Sequence, residues 1–306
     1  MIVEPAPILR ASHPGWVRTW LIAIRPKTLP AAVAPVVVGA ALAHRAAALQ
    51  ALPLVCALAG ALLLQIASNL ANDVFDFEHG KDTGQRLGPV RAVHSGLLTP
   101  RQARAGLVIV LLGCVLVGSY LVWRAGWPLL VVGISAMIAA VAYTAGPFPL
   151  GYHGLGDLFV FVFFGPVAVV GTEYAVAGVA TVDAFWASVS AGALCANILV
   201  VNNLRDLPED ARTGKRTLAV RFGERFALSQ AAGLSLVAQL GPLYFWFRYG
   251  DPWPVLLTAL AAPLSLIWWL KLRTIRGRAM NQLLAAAARQ LLVFSVLYAI
   301  GLWVRA

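Results

Sequence analysis

Nine stretches of the chain are long and apolar enough to form helices that cross a lipid bilayer: 28–46, 52–74, 105–123, 127–146, 155–175, 184–206, 227–247, 253–271 and 285–304. A helix rises about 1.5 Å per residue, so about 20 apolar residues match a hydrocarbon layer roughly 30 Å thick. Proline and glycine punctuate the pattern at Pro53, Gly126, Pro128, Gly146, Pro149, Gly250, Pro252 and Pro254. Inside lipid such residues can kink a helix without ending it.

Composition supports lipid as the solvent. Hydrophobic residues make up 60% of the 306 and charged residues only 12%, against roughly 25% charged in a water-soluble domain. The pattern predicts a single all-α membrane domain over residues 1–306. Residues 1–17 hold Pro5, Pro7 and Pro14 and no continuous apolar run, so no cleavable signal peptide is expected and the first apolar helix stays in the membrane. Cys56, Cys114 and Cys195 each stand alone in apolar runs and read as small core residues.

Charge sets an orientation. Of the 24 Lys and Arg residues, 20 precede the first segment or fall in, or at the segment ends beside, the connections 2–3, 6–7 and 8–9, whereas Arg45, Arg124, Arg248 and Arg305 fall on the opposite side. The positive-inside rule then puts the N-terminus in the cytoplasm and, with an odd number of crossings, the C-terminus outside. The net charge of +11 is accounted for by basic loops facing anionic lipid headgroups. Nucleic acid is excluded as a partner, because no soluble basic domain exists to carry it. Trp16, Trp20, Trp123, Trp127, Trp186, Trp253 and Trp303 lie near helix ends, where amphipathic rings prefer the interface.

The two longest cytoplasmic connections repeat each other. A shift of 130 residues pairs Asn72 with Asn202, Asp76 with Asp206, Thr83-Gly84 with Thr213-Gly214, Arg86 with Arg216, and Val90-Arg91 with Val220-Arg221. The identities fall on polar residues, which apolar low-complexity sequence would not produce. They predict two related elements, around 65–91 and 195–221, facing each other across the bundle.

Helical geometry gives the repeat a chemical meaning. At 100° per residue, Gln65, Asn69, Asn72 and Asp76 fall within an arc of about 60° on one helix. Asn202, Asp206 and Asp210 recur every four residues on another. Two such faces bring carboxylates and amides into one cavity, where like charges need cations. Hard divalent ions answer that need, and Mg²⁺ suits an all-oxygen set completed by a substrate phosphate. Asn69, deeper on its stripe, is placed to face that substrate. Arg25, Lys27, Arg86, Arg91 and Lys215 can grip the phosphate oxygens that metals leave free. Two plainer readings stand beside this one: solvated helix ends whose Asp residues pair with nearby Arg, and positive-inside charges with no ligand.

The motifs carry a family resemblance. RPKTLPAAVAPVVVGAALA (25–43), SNLANDVFDFEHGKDTGQRLGPVRAVHSGLLTP (68–100), YTAGPFPLGYHGLGDLFVFVFFGPVAVVGT (143–172), VVNNLRDLPEDARTGKRTLAVRFG (200–223) and, more weakly, RGRAMNQLL (276–284) resemble the UbiA-type intramembrane aromatic prenyltransferases. Among these they resemble the 1,4-dihydroxy-2-naphthoate branch of menaquinone synthesis. The resemblance implies nine transmembrane helices around a central cavity open to the bilayer of the bacterial inner membrane. It also implies two internally related halves that hold Mg²⁺ and a polyprenyl diphosphate at the cytoplasmic mouth. The metal set it implies is Asn72, Asp73, Asp76, Asp82, Asn202, Asp206 and Asp210. The broader pattern N-D-x-x-D-x-x-x-D has Gly80 at its last position here, with Asp82 two residues on, a displacement similar to that of the naphthoate branch. Gly80 is then expected to end the helix and turn Asp82 back.

The implied reaction ionises the allylic diphosphate, shields the cation in an apolar cavity, and couples it to the naphthoate ring at the carbon bearing the carboxylate, releasing CO₂. Asp76, Asp206 and Asp210 would serve that chemistry, with Tyr143 as an aromatic facing the cation or, alternatively, an interface tyrosine. His153 and Asp157, four residues apart, either orient the naphthoate or pair and cap a helix. A 4-hydroxybenzoate prenyltransferase and a secondary transporter remain as alternative readings. Transporters place ionisable groups near the bilayer midplane, whereas here they sit at helix ends beside basic loops.

Overall fold

The computed structural model describes residues 15–81 and 87–304, and among them every regular element is helical. The helices are α1 (Trp16–Ile24), α2 (Pro30–Arg45), α3 (Ala51–Glu78), α4 (Pro100–Ala125), α5 (Trp127–Ala142), α6 (Gly156–Val162), α7 (Ala168–Ala177), α8 (Val182–Thr213), α9 (Leu218–Val237), α10 (Leu240–Tyr249), α11 (Trp253–Ala259), α12 (Ala262–Thr274) and α13 (Met280–Trp303). Without water to satisfy backbone N–H and C=O groups, long apolar segments have no other stable form in lipid. All nine apolar stretches of the sequence fall on these helices.

Counting crossings gives a coarser answer than nine. Six helical runs are long and apolar enough to span: Ala51–Glu78, Pro100–Ala125, Gly156–Ala177, Val182–Thr213, Leu218–Tyr249 and Gly277–Trp303. Two bent pairs, Trp16–Thr28 with Pro30–Arg45 (51°) and Trp253–Ala259 with Ala262–Thr274 (43°), raise the number to eight. The expected span 127–146 is a helix of 16 residues, about 24 Å long and so short of the hydrocarbon thickness. The bends have covalent causes. Arg25 adopts a left-handed conformation (φ 56°, ψ 67°) before Pro26, and Pro30 opens α2. Pro263, at the start of α12, has no N–H to continue α11.

The bundle is closed by small residues. α8 runs through its middle, touching α2, α7, α9, α10 and α13. A Cβ on Gly192 of α8 would lie 2.6 Å from the Phe161 carbonyl oxygen, and one on Gly39 of α2 would lie 2.6 Å from Thr172 Cβ and 2.7 Å from the Val169 oxygen of α7. Lipid offers no hydrophobic drive between helices, so close approach of backbones supplies much of the packing energy. Gly39→Val should therefore force α2 from α7, at about 1–3 kcal/mol for overpacking. A lowered midpoint of thermal unfolding in detergent is the expected reading; an unchanged midpoint would contradict the tight α2–α7 contact.

The two ends of the bundle differ in chemistry. At one end Arg45 pairs with Asp251 at 3.2 Å, and Arg124 bonds Gln50 at 2.5 Å and the Val176 carbonyl at 3.3 Å. The other end gathers the connections after α3, α5, α8 and α12, tied by Arg216 N–H to the Tyr152 carbonyl (2.7 Å) and Asn281 Nδ2 to the Leu87 carbonyl (2.8 Å). Both Asp-bearing helix ends lie at this second, more basic end.

Candidate active site

A cavity of about 940 Å³ opens between the helices, near the top of the roughly 300–1,000 Å³ usual for small-molecule sites. Its apolar wall comes from residues such as Leu64, Val117, Val132, Met137, Phe159 and Phe164. Its polar end holds Asn72 and Asp76 from α3, Asn202, Asp206, Glu209 and Asp210 from α8, and Arg25, Lys81, Arg91, Arg205 and Lys215. The two sequence repeats thus meet at one mouth.

Asp76 is 2% exposed and densely partnered. Arg91 Nη1 stands 2.6 Å from Oδ2, and Lys215 Nζ donates to Oδ1 at 3.1 Å. Tyr152 OH donates a short bond to the same Oδ1. Arg91 also donates to the Asn72 carbonyl at 2.8 Å, tying the loop after α3 back onto the helix. The Tyr152 ring lies under two ammonium groups, with Lys215 at 4.8 Å and Lys81 at 5.5 Å from its centroid. Lys81 crosses to the Thr213 carbonyl at the end of α8, as Lys215 crosses to α3.

Asp206 is held differently. Arg205 clamps both its oxygens, Nε to Oδ1 at 2.7 Å and Nη2 to Oδ2 at 2.6 Å. The same guanidinium donates to Asn202 Oδ1 and Asn281 Oδ1, both at 2.8 Å. One turn on, Asp210 is 8% exposed, faces the cavity, and has no side-chain hydrogen bond among the described residues. Its carboxylate, open to the cavity and without a hydrogen bond, is available to a cation.

The mouth therefore offers carboxylates of Asp76, Asp206, Glu209 and Asp210 with amide oxygens of Asn72 and Asn202, a hard all-oxygen donor set suited to a divalent ion such as Mg²⁺. Among the described residues no three His, Cys, Asp or Glu side chains converge closely enough to hold a metal by themselves. Water or substrate oxygens have to complete any coordination shell.

Several sequence-predicted residues stand elsewhere. Asp73, taken as a metal ligand, is fully buried away from the cavity, and its Oδ2 accepts the amides of Ala92 (2.9 Å) and Val93 (3.4 Å). It anchors the loop that carries Arg91. Asn69 lines the cavity, but its Nδ2 donates to the Ile24 carbonyl (2.8 Å) and Thr28 Oγ1 (3.0 Å). It braces the left-handed turn that aims Arg25. Lys27, beyond that turn, is exposed and does not line the cavity. Helix α3 does end just before Gly80 (φ 62°), while Asp82 and Arg86 lie outside the described residues.

His153 and Asp157 do not pair. His153 stacks on Phe148 (3.7 Å between centroids) with Nδ1 2.9 Å from the Pro149 carbonyl oxygen, and Asp157 accepts from Gln230 Nε2 at 2.9 Å. Neither lines the cavity. Helix α6 begins only at Gly156, so no helix puts the two residues on a common face. Tyr143 lines the cavity, seated where a Cβ on Gly151 would lie 2.8 Å from its Cε1 and one on Gly156 2.7 Å from its hydroxyl.

Sequence reading missed Tyr152, Lys81, Arg205 and Asn281. Arg205 and Lys81 were counted as positive-inside charges, and Tyr152 and Asn281 sit in the 143–172 and 276–284 stretches without a spacing to mark them.

Fold and site together define a multi-pass membrane protein with a deep apolar cavity, closed at one end by carboxylates and basic side chains. Residues 32–302 match the UbiA prenyltransferase family, and the chain belongs to that family. It is 44% identical over 250 residues to a 1,4-dihydroxy-2-naphthoate octaprenyltransferase of Mycobacterium tuberculosis, covering 81% of this chain and 83% of the relative. With a protein of the same name from Haemophilus influenzae it shares 37% over 255 residues, covering 81% and 83%. Its fold resembles that of a UbiA homologue from Archaeoglobus fulgidus bound to GPP and Mg²⁺, with a TM-score of 0.64 and 14% identity over 92% of this chain and 99% of the other.

Proposed function

We infer that this protein transfers a polyprenyl group from polyprenyl diphosphate to 1,4-dihydroxy-2-naphthoate, releasing diphosphate and CO₂, in menaquinone biosynthesis. The observation that carries the reading is the meeting of both Asp-bearing helix ends, with Arg91 and Lys215, at the polar mouth of one apolar cavity. The naphthoate acceptor comes from the relatives that share 37–44% of its residues.

Asn72, Asp76, Asn202, Asp206 and Asp210 would hold Mg²⁺ in this reading, and the metal would supply positive charge to the diphosphate leaving group. Arg25, Arg91 and Lys215 bind the remaining phosphate oxygens through charge-assisted hydrogen bonds. Tyr152 fixes the position of Asp76 and supports both lysines from below. The apolar wall excludes water, which would quench an allylic cation. Tyr143, at the boundary between the two ends, offers its ring face to that cation. The prenyl chain lies along the wall formed by α3, α4 and α5.

The N-terminus is cytoplasmic, the C-terminus is external, the membrane is the bacterial inner membrane, and residues 1–306 form one domain. α5 supplies a ninth, partial crossing.

The reading is tested with enzyme purified in detergent, offered a panel of aromatic acids and prenyl diphosphates, with products identified by mass. A prenylated naphthoquinol is the expected product; exclusive use of another acid would redirect the acceptor assignment. Turnover should vanish with EDTA and return with Mg²⁺. Turnover persisting in chelated, dialysed enzyme would remove the metal from the mechanism.

A further inference from the structure

The sequence repeat matches the aspartates but not their partners. Asp76 and Asp206 correspond under the 130-residue shift, as do Arg91 and Arg221. Arg91 turns inward onto Asp76, whereas Arg221 turns away, donating to the carbonyl oxygens of Arg216 (3.1 Å) and His153 (2.8 Å). Arg205, which clamps Asp206, corresponds to Phe75, and Asp210 corresponds to Gly80.

The consequence is an uneven distribution of charge. Asp76 has two cations in contact, Arg91 at 2.6 Å and Lys215 at 3.1 Å. Arg205 matches Asp206 alone, leaving the cavity-facing carboxylate of Asp210 without a hydrogen bond among the described residues; Lys215 acts on it only electrostatically while bonded to Asp76. Arg205 grips Asp206 through one edge of the carboxylate, so its outer lone pairs stay available to a second ligand.

We propose, building on the metal–diphosphate reading above, that the two motifs take up divalent metal in a fixed order. Asp206 and Asp210 bind the first ion unaided. Asp76 receives an ion only together with a diphosphate group, whose oxygens draw Arg91 and Lys215 away from it. An ion approaching Asp76 by itself meets two cations at contact distance, a repulsion that the charge of a diphosphate cancels. Lys215 is positioned for such an exchange, since it spans from the end of α8 to α3 across the face of Tyr152.

Mn²⁺ serves as the probe, because it shares the preference of Mg²⁺ for oxygen ligands. Binding to the full chain in detergent is measured by equilibrium dialysis, which counts the excess Mn²⁺ on the protein side whatever complexes form in solution. Without pyrophosphate, one ion per chain is expected; inorganic pyrophosphate should add a second. Asp210→Asn should weaken the first site at least tenfold. Asp76→Asn should leave it within about twofold and lose the second, which also shows that the variant is folded. Two ions bound without pyrophosphate, or a first ion lost in Asp76→Asn, would overturn the order while leaving the metal reading intact. No ion bound under either condition would overturn the metal reading itself.

Discussion

Asp76→Asn and Asp206→Asn should each reduce kcat/KM for polyprenyl diphosphate at least about a thousandfold while the protein elutes normally in detergent. Loss of one preorganised group that stabilises developing charge costs about 10²–10³-fold, and in the proposed reading the lost group also holds a metal. Asparagine is the informative substitution. It keeps an oxygen for Tyr152 and Lys215 at position 76, and one for Arg205 at position 206. Alanine at position 76 would strand Arg91 and Lys215 beside a buried gap. Breaking a buried pair in that way destabilises by about 3–5 kcal/mol, so lost activity could no longer be separated from lost structure. The clamp by Arg205 makes Asp206 the more severe test. If Asp206 were only a structural partner for that guanidinium, the asparagine variant would retain near-normal turnover. Near-normal turnover in either variant would dismiss the reading that both motifs act on diphosphate.

The parts of the molecule that were legible in the sequence are those that a single helix decides. Apolar runs became helices because lipid allows them no alternative, and the stripe Gln65–Asn69–Asn72–Asp76 lies toward the cavity because helical spacing alone sets its direction. Asp73 illustrates the same rule in reverse. One residue on from Asn72 it lies about 100° around the helix, off the stripe, and only the family resemblance, not its angle, points to it as a ligand. In the structure it faces Ala92 and Val93.

What the sequence hid depends on chain closure between distant segments. Lys215 reaches Asp76 across 139 positions, and Tyr152 reaches it across 76. No local spacing encodes either contact. The bend before α2 was hidden for a different reason: it rests on the left-handed conformation of Arg25, which is uncommon for a residue with a Cβ and is held here by Thr28 and Asn69. His153 and Asp157 had helical spacing without a helix, since α6 starts after His153. The two halves also diverged in ways that identities alone concealed, because Arg91 and Arg221 match in sequence yet face different partners.

Substrate labelled with ¹³C in its carboxylate should lose the label to CO₂, one molecule for each prenylation, leaving a label-free prenyl naphthoquinol. With 1,4-dihydroxy-2-naphthoate the new carbon–carbon bond takes the place of the carboxylate, so the carboxyl carbon must leave for the ring to regain aromaticity. A 4-hydroxybenzoate enzyme substitutes a ring hydrogen and would keep the label. The outcome therefore reports on the acceptor independently of the metals. The site is compatible with either acid, because Arg25 and Arg91 can hold an aromatic carboxylate as readily as a phosphate; what favours the naphthoate is the displacement of the last Asp from position 80 to Asp82, together with the relatives at 37–44% identity. Release of labelled CO₂ in step with diphosphate is the expected result. Prenylated product that retains the label, or a clear preference for 4-hydroxybenzoate, would overturn the acceptor. Such a result would leave the carboxylate and basic groups at the mouth with the same task, since cleavage of the allylic diphosphate does not depend on which ring captures the cation.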